Sequence, residues 1–579
     1  MLHKQVEARL QAAVRAVLPD ADVTAVLVRP CPDARFGDYQ SNALMGLAKQ
    51  RRLNPRQLAT SVVEVLDLKE WCETPDVAGP GFLNFRLRPA ALHEALRAAL
   101  RGEHLFLATS TAPRTVVVDF SSPNVAKPMH VGHIRSTILG DCLARVLRRL
   151  GHQVITDNHI GDWGTQFGKL LLGWKSDLDP IGLKANPIGE MERLYRLINA
   201  RCEAEPATLE EARLELVKLQ SGDAGNLRIW GEMIALSEAQ FATIYGRLGV
   251  RFDHALGESF YNPHLKTVVD EMRSRAIARE SEGATVVFFD DDPALKNHPM
   301  IVQKSDGAAN YATTDLATLA YRLRTWNPRE IVYVTDGRQQ LHFQQVFAAF
   351  RRWQPESGVR LEHVWFGSIL GDDGKPFKTR SGETIKLADL LDEAEERALR
   401  VVTEKNPELP EAERREIARI VGLGAVKYQD LLPNRQSDYV FDWSKMLALS
   451  GNTAPYLQYA YARIQSIFRK LAGQEGESHR WEFPPGAALQ LEAPEELRLA
   501  RQLMNFGFVV EMVADEYRPN YLCNYLYDLS GHFTAFYENC PVLKAAEPQR
   551  QSRLALCHLA GSVLREGLGL LGIETADRM

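Results

Sequence analysis

The sequence predicts a multidomain α/β protein, in which a parallel-sheet domain carries a helical insertion. A small α+β domain precedes it and an all-α domain follows. Three observations predict this. A buried-strand pattern passes through a polar loop into a helix over Val116–Gly151, the same alternation returns after residue 300, and strand signals vanish beyond about residue 390. Val116, Val117 and Val118 make a short β-branched run suited to a strand covered on both faces. From Ile134 the apolar period becomes helical through Ile138, Cys142 and Val146, and Gly151 supplies a C-terminal stop. The loop between them ends in His130-Val131-Gly132-His133.

A helix N-terminus presents unsatisfied N–H groups and a partial positive charge, both suited to a phosphate. His130 and His133 can donate hydrogen bonds to phosphate oxygens, and Gly132, lacking a Cβ, admits a flat base against the backbone. Two solvated loop histidines explain the same residues. With a strand before, an amphipathic helix after and Lys127 nearby, the two readings stand roughly even.

Residues 1–110 form the α+β domain. Val6, Leu10, Val14 and Val17 mark an opening helix that Pro19 stops. A turn from Ala78 leads into an alternating strand that puts Phe82 and Asn84 on one face. That pair is either a platform for an unstacked base or a half-buried core ring beside a solvated amide, and composition favours the second. The α/β domain takes residues 111–390, with the insertion at about 173–300. Val154–Asp157 is its next strand, and the Gly-rich loop from Asn158 to Gln166 lies where ligands gather in parallel sheets. Tyr311 and Asp315, four apart, share a helix face. Ile331–Val334 and Val364–Leu370 read as further strands, and the latter runs into a Gly-rich basic loop, Gly371–Gly382. This loop is either a solvated hairpin or a mobile phosphate clamp. Residues 391–579 read as the all-α domain, with amphipathic segments Ile417–Leu432, Trp443–Leu471, Leu497–Tyr517 and Tyr521–Tyr537 and a closing helix to about Leu571.

The 579 residues suffice for several cores, and a net charge of −5 argues against a non-specific DNA coat while leaving room for local basic faces. Seven scattered cysteines, without CxxC or zinc-ligand spacing, predict reduced thiols, no structural zinc and a cytoplasmic location. No run approaches the roughly 20 apolar residues of a membrane span, so no membrane partner is expected.

Longer motifs then carry a resemblance. The stretch from Ser121 to Thr137, HIGDWGTQFG from His159, DYVFDW from Asp438, GNTAPYLQYAYARI from Gly451 and FTAFYENCPVL from Phe533 resemble the bacterial arginyl-tRNA synthetases, a class I aminoacyl-tRNA synthetase family. The resemblance covers nearly the whole chain. It implies a class I Rossmann-like catalytic domain, an N-terminal domain that reads the tRNA D-loop and a helical anticodon-binding domain. It also implies ligation of L-arginine to tRNA(Arg) through an arginyl-adenylate, with ATP and Mg²⁺, by a monomer.

By the same resemblance His130, Gly132, His133 and Lys378 hold ATP, and Lys127, Lys378 and Arg380 compete for the pyrophosphate. Phe377-Lys378-Thr379-Arg380-Ser381 is a degenerate form of the family's KMSKS loop, which Lys127 is thought to offset. The arginine site maps onto Asp119, Ser122, Asn124, His133, Tyr311, Asp315 and Gln339, and tRNA contacts onto Phe82, Asn84, Tyr456 and Tyr459. A guanidinium with five donors calls for carboxylate and amide acceptors, and Asp315 supplies charge. Adenylate formation is expected only with tRNA bound. Another nucleotidyltransferase or a synthetase for a different amino acid is one alternative, and a non-catalytic tRNA-binding paralogue is the other. The intact histidines and Lys127 count against the paralogue.

Overall fold

Four short strands belong to the first 110 residues: β1 (Arg29–Pro30), β2 (Tyr39–Ser41), β3 (Asp76–Ala78) and β4 (Phe82–Phe85). They pair antiparallel in the order β1-β2-β4-β3. The computed structural model describes every residue except 378–383, 476–480 and 485–486. The opening helix, Leu2–Val17, buries Val6, Leu10 and Val14. On β4, Phe82 is half-buried, whereas Asn84 lies between Gln40 and Asp76 and is only 5% exposed. The expected solvated amide is therefore a covered one, flanked on both sides by the paired residues Gln40 and Asp76.

Residues 1–110 do not stand alone. They form one compact unit with residues 448–579. Asp38 accepts an ion pair from Arg501 at 2.6 Å, and Glu511 meets Lys4 at 3.1 Å. The tail comprises helices Ala454–Glu475, Pro494–Met504, Phe506–Glu516, Asn520–Asn539 and Gln549–Leu570. The segment read as one helix over Leu497–Tyr517 is two, broken at Asn505.

The second unit, Thr111–Leu447, is built on a parallel sheet. Its strands are β5 (Thr115–Phe120) and β6 (Gln153–Asp157), followed after the insertion's β7 (Ala278–Ser281), β8 (Ala284–Val287) and β9 (Met300–Gln303) by β10 (Glu330–Val334) and β11 (Arg360–His363). The order is β11-β10-β5-β6, and the register sets Tyr333, Asp119 and Asp157 side by side at the carboxyl ends. The helix Gly132–Arg149 follows β5 and buries Ile134, Ile138, Cys142 and Val146. Gly140 brings its backbone against the Phe120 ring, where a Cβ would clash. The insertion contributes helices Pro187–Ala204, Pro206–Gln220 and Ala224–Leu248 as well as the antiparallel β7–β9 sheet.

Two boundaries differ from the sequence reading. The run Val364–Leu370 is not one strand. The edge strand is the charged Arg360–His363; beyond it Phe366 makes a single bridge with Asp336, and Ile369–Leu370 (β12) pairs with Tyr439–Val440 (β13). The second difference is that the unit continues past residue 390, because helices Leu387–Lys405 and Glu411–Leu431 pack on each other within it. Arg135, from the helix after β5, explains the attachment. It meets Asp430 at 3.0 Å with both side chains 1% exposed, donates to the Gly367 carbonyl at 2.7 Å, and lies 5.1 Å from the Tyr439 ring centroid. Burial lifts the Asp430 pKa, and Arg135 opposes that shift.

Losing one partner of such a pair strands a buried charge. Arg135→Met should cost about 3–5 kcal/mol. The expected result is a lowered unfolding midpoint of the α/β unit, partly recovered by Arg135→Met/Asp430→Leu, as followed by thermal denaturation.

Candidate active site

The carboxyl ends of β5 and β6 carry Asp119 and Asp157, and one guanidinium lies between them. Arg322, from the helix Tyr311–Trp326, donates to Asp119 at 2.6 Å and to Asp157 at 2.7 Å, with all three side chains buried. Its charge sits 5.3 Å from the centroid of the Tyr333 ring. Burial works against the Arg322 charge, but Asp119, Tyr333 and Asp157 outweigh it and hold its pKa well above the ordinary value.

The chain leaves β5 through strained backbone. Ser121, Ser122 and Ala126 have φ of +75°, +49° and +62°, a left-handed region costing a non-glycine residue of order 1–3 kcal/mol. Specific bonds hold them there. Ser121 N–H donates to Ser136 Oγ at 2.8 Å, Ser122 N–H to Asn158 Oδ1 at 3.0 Å, and Ala126 N–H to Ser237 Oγ at 3.0 Å. Ser122 Oγ donates to Asp119 at 3.3 Å. The loops after β5 and β6 are joined by Val125 N–H to the Gly161 carbonyl and Gly161 N–H to the Pro123 carbonyl, each 3.0 Å. The Asn124 amide occupies the space a Cβ on Gly161 would need.

The helix start follows. His133 Nδ1 accepts from His130 N–H at 3.1 Å, and His130 Nδ1 accepts from Gly132 N–H at 3.1 Å. Each imidazole therefore carries its proton on Nε2. The rings lie 4.0 Å apart, and Gly132 leaves space for the His130 ring that a Cβ would take. Burial, then the neighbouring His130, lowers the His133 pKa to about 3, and burial, then Lys127, lowers that of His130. Both are neutral donors at pH 7. Lys127 is exposed, 5.4 Å from the Tyr195 ring centroid.

A second group of carboxylates gathers along the same sheet edge. Asp315 meets His342 Nε2 at 2.6 Å, and the His342 ring lies 4.8 Å from that of the exposed Tyr311. Glu258 precedes the insertion's helix Asn262–Ser274 and accepts from Trp163 N–H. Burial lifts its pKa to about 7; His159 opposes this, while Asp162 and Asp315 add to it. The Nδ1 of His159 is buried without a partner among the described residues.

Comparisons with known proteins bear on this arrangement. Residues 95–443 match the family model of the class I (R) tRNA synthetase catalytic domain, residues 2–87 the arginyl-tRNA synthetase N-terminal domain, and residues 457–579 the DALR anticodon-binding domain. The chain belongs to the class I arginyl-tRNA synthetase family. It is 46% identical over 589 residues to the arginine–tRNA ligase of Hahella chejuensis, covering 100% of both chains. It is likewise 46% identical over 559 residues to that of Escherichia coli O157:H7, covering 95% of each. Among solved structures it resembles the Thermus thermophilus arginyl-tRNA synthetase with TM-score 0.85 and 28% identity over the full length of both.

Within this synthetase fold, Asp119 lies near the end of β5 and Ser122 and Asn124 on the loop after it, Tyr311 and Asp315 share the face that His342 touches, and Gln339 sits exposed in the turn before the helix Gln340–Trp353. Asp119 is already engaged by Arg322. Lys378 and Arg380 lie outside the described residues. Phe82, Asn84, Tyr456 and Tyr459 belong to the other compact unit. There, Tyr459 is exposed and Tyr456 packs 5.7 Å from Tyr527. Among the described residues no three of His, Cys, Asp and Glu converge in a way that could hold a metal ion.

The sequence reading gave no role to Glu258, His159, His342 or Arg322. Arg322 had a usable signal, a charge on the buried face that also carries Leu316 and Leu319. Glu258 had none.

The hydrogen-bond directions fix an observable. Nitrogen-15 spectra of the imidazoles should show His130 and His133 neutral and protonated on Nε2 at pH 7.5, with His133 still neutral at pH 5. A protonated His133 at pH 5 would contradict the assignment.

Proposed function

We propose that the chain condenses L-arginine with MgATP to arginyl-adenylate and passes the arginyl group to tRNA(Arg). The observation that carries this is a surplus of acid at one sheet edge. Asp119 and Asp157 face a single buried cation, with Asp162, Glu258 and Asp315 close by, and two Nε2–H donors stand at the adjoining helix N-terminus.

A guanidinium supplies the missing positive charge in a planar fork that suits paired carboxylates. In this reading Asp315 and Glu258 face the guanidinium, with Tyr311 and Gln339 alongside. Ser122, Asn124 and His133 hold the amino acid's backbone end. The substrate carboxylate attacks the α-phosphorus, a carboxylate O–P bond forms, and the bond to the pyrophosphate oxygen breaks. No protein nucleophile takes part. Positioning and charge neutralisation do the catalysis, with His130 and His133 donating to phosphate oxygens as charge develops. A tRNA 3′-terminal hydroxyl then displaces AMP. We read Phe82, Asn84, Tyr456 and Tyr459 as tRNA contacts, and the enzyme as a cytoplasmic monomer. The seven free cysteines, six of them buried, agree with a reducing compartment.

The deciding experiment is ATP–pyrophosphate exchange with each amino acid, with and without tRNA(Arg). Exchange should require arginine and tRNA together, and a second amino acid supporting it equally would refute the reading. Asp315→Asn should raise the arginine KM by the equivalent of roughly 2–5 kcal/mol, since it removes a charge facing a buried cation.

Glu258 adds a pH dependence. With a pKa near 7 it is about half protonated at pH 7, and a bound cation favours its ionised form. Arginine binding should therefore release protons near pH 7 and tighten as pH rises from 6 to 8. Calorimetry in buffers of different ionisation enthalpy measures the release, which Glu258→Gln should abolish.

A further inference from the structure

The segment of residues 384–387 runs beside the signature histidines. Val131 N–H donates to the Ile385 carbonyl at 2.9 Å, and Leu387 N–H donates to the Met129 carbonyl at 2.9 Å. These two bonds flank an antiparallel bridge between His130 and Lys386. The bonds run between the flanking residues, so His130 and Lys386 form a non-hydrogen-bonded pair. Such pairs have the closer Cα spacing of about 4.5 Å and project both side chains to one face.

The Lys386 ammonium is held by the insertion. Glu192, on the helix Pro187–Ala204, approaches it at 3.5 Å, with Lys386 45% and Glu192 23% exposed. A half-exposed pair at that distance is a weak restraint. One turn along the same helix, Tyr195 receives Lys127 at 5.4 Å and Lys169 at 6.0 Å from its ring centroid. Three lysines from three elements thus converge on one face of one insertion helix.

We infer that Lys386 is a further phosphate-binding cation for ATP, kept close to the helix N-terminus by its backbone pairing and released from Glu192 when the triphosphate enters. The inference rests on the proposed ATP-dependent activation. Its logic is electrostatic. A triphosphate carries several charges, whereas the neutral His130 and His133 supply hydrogen bonds without charge. A flexible ammonium paired across from His130 adds that charge without any rearrangement of backbone. Glu192 then acts as a positioning residue, holding the lysine extended in the free enzyme and competing with ATP for it.

The test is steady-state exchange with tRNA(Arg) present, joined to calorimetric binding of a non-hydrolysable ATP analogue without arginine. Lys386→Met should lower kcat/KM for ATP at least tenfold and weaken the analogue to a similar degree. The arginine KM should stay within twofold and the melting temperature unchanged. Lys386→Arg should recover most of the loss. Glu192→Gln should move the other way, leaving the ATP KM equal or lower, because it frees the lysine. If Lys386 merely tethers the insertion helix, Lys386→Met and Glu192→Gln will behave alike and analogue binding will not change, which overturns the assignment. A parent enzyme without arginine-dependent exchange overturns the activity reading instead, and the analogue titration still decides the role of Lys386.

Discussion

Arg322 reaches from the helix Tyr311–Trp326 to the ends of two neighbouring strands and binds a carboxylate on each. Removing three charges from water is costly, and the cost is offset here only because one guanidinium serves both carboxylates at short distance. The consequence is positional. Asp119 is the last-but-one residue of β5 and Asp157 the last of β6, so the clasp fixes the points at which both loops leave the sheet. From those points the β5 loop turns left-handed at Ser121 and Ser122, and the β6 loop presents Asn158 to receive it.

The clasp also sets the electrostatics. One cation against two buried carboxylates leaves the edge negative, and the nearby Asp162 and Asp315 raise the Glu258 pKa further. The acidic edge and the helix start that carries His130 and His133 meet at the loop after β5. Ser121 joins them directly. Its Oγ meets Thr137 Oγ1 at 2.8 Å, and Thr137 Oγ1 donates to the His133 carbonyl at 2.8 Å. Tyr245, from the insertion, closes the cluster by bonding both Ser121 and Asn158. The insertion thus supports the loops as well as decorating the sheet.

Much of this was legible in the sequence, and the exceptions share a cause. The strands β5, β6 and β10 announce themselves as apolar β-branched runs, and the helix from Gly132 by its period and its stop at Gly151. Local chemistry fixes such elements. The edge strand β11 reads Arg-Leu-Glu-His, where only Leu361 is buried, so its burial pattern resembles that of a loop, while the apolar Val364–Leu370 invited the wrong assignment. Pairwise partners were not legible, since Arg322 lies 203 residues from Asp119 and 165 from Asp157. The same holds for the domain limit. Contacts distant in sequence, such as Arg135 with Asp430 and Lys427 with the Leu248 carbonyl, tie the helices beyond residue 390 to the sheet's unit.

If the Arg322 clasp holds the two loops in their strained form, releasing it should free them together. Amide hydrogen exchange of Arg322→Met, compared with the parent, measures this directly. The account predicts faster exchange at both residues 121–126 and 158–162, accompanied by weaker arginine binding, with the helix Gly132–Arg149 still protected beyond its first turn. Unchanged protection of both loops in a folded Arg322→Met protein would contradict it.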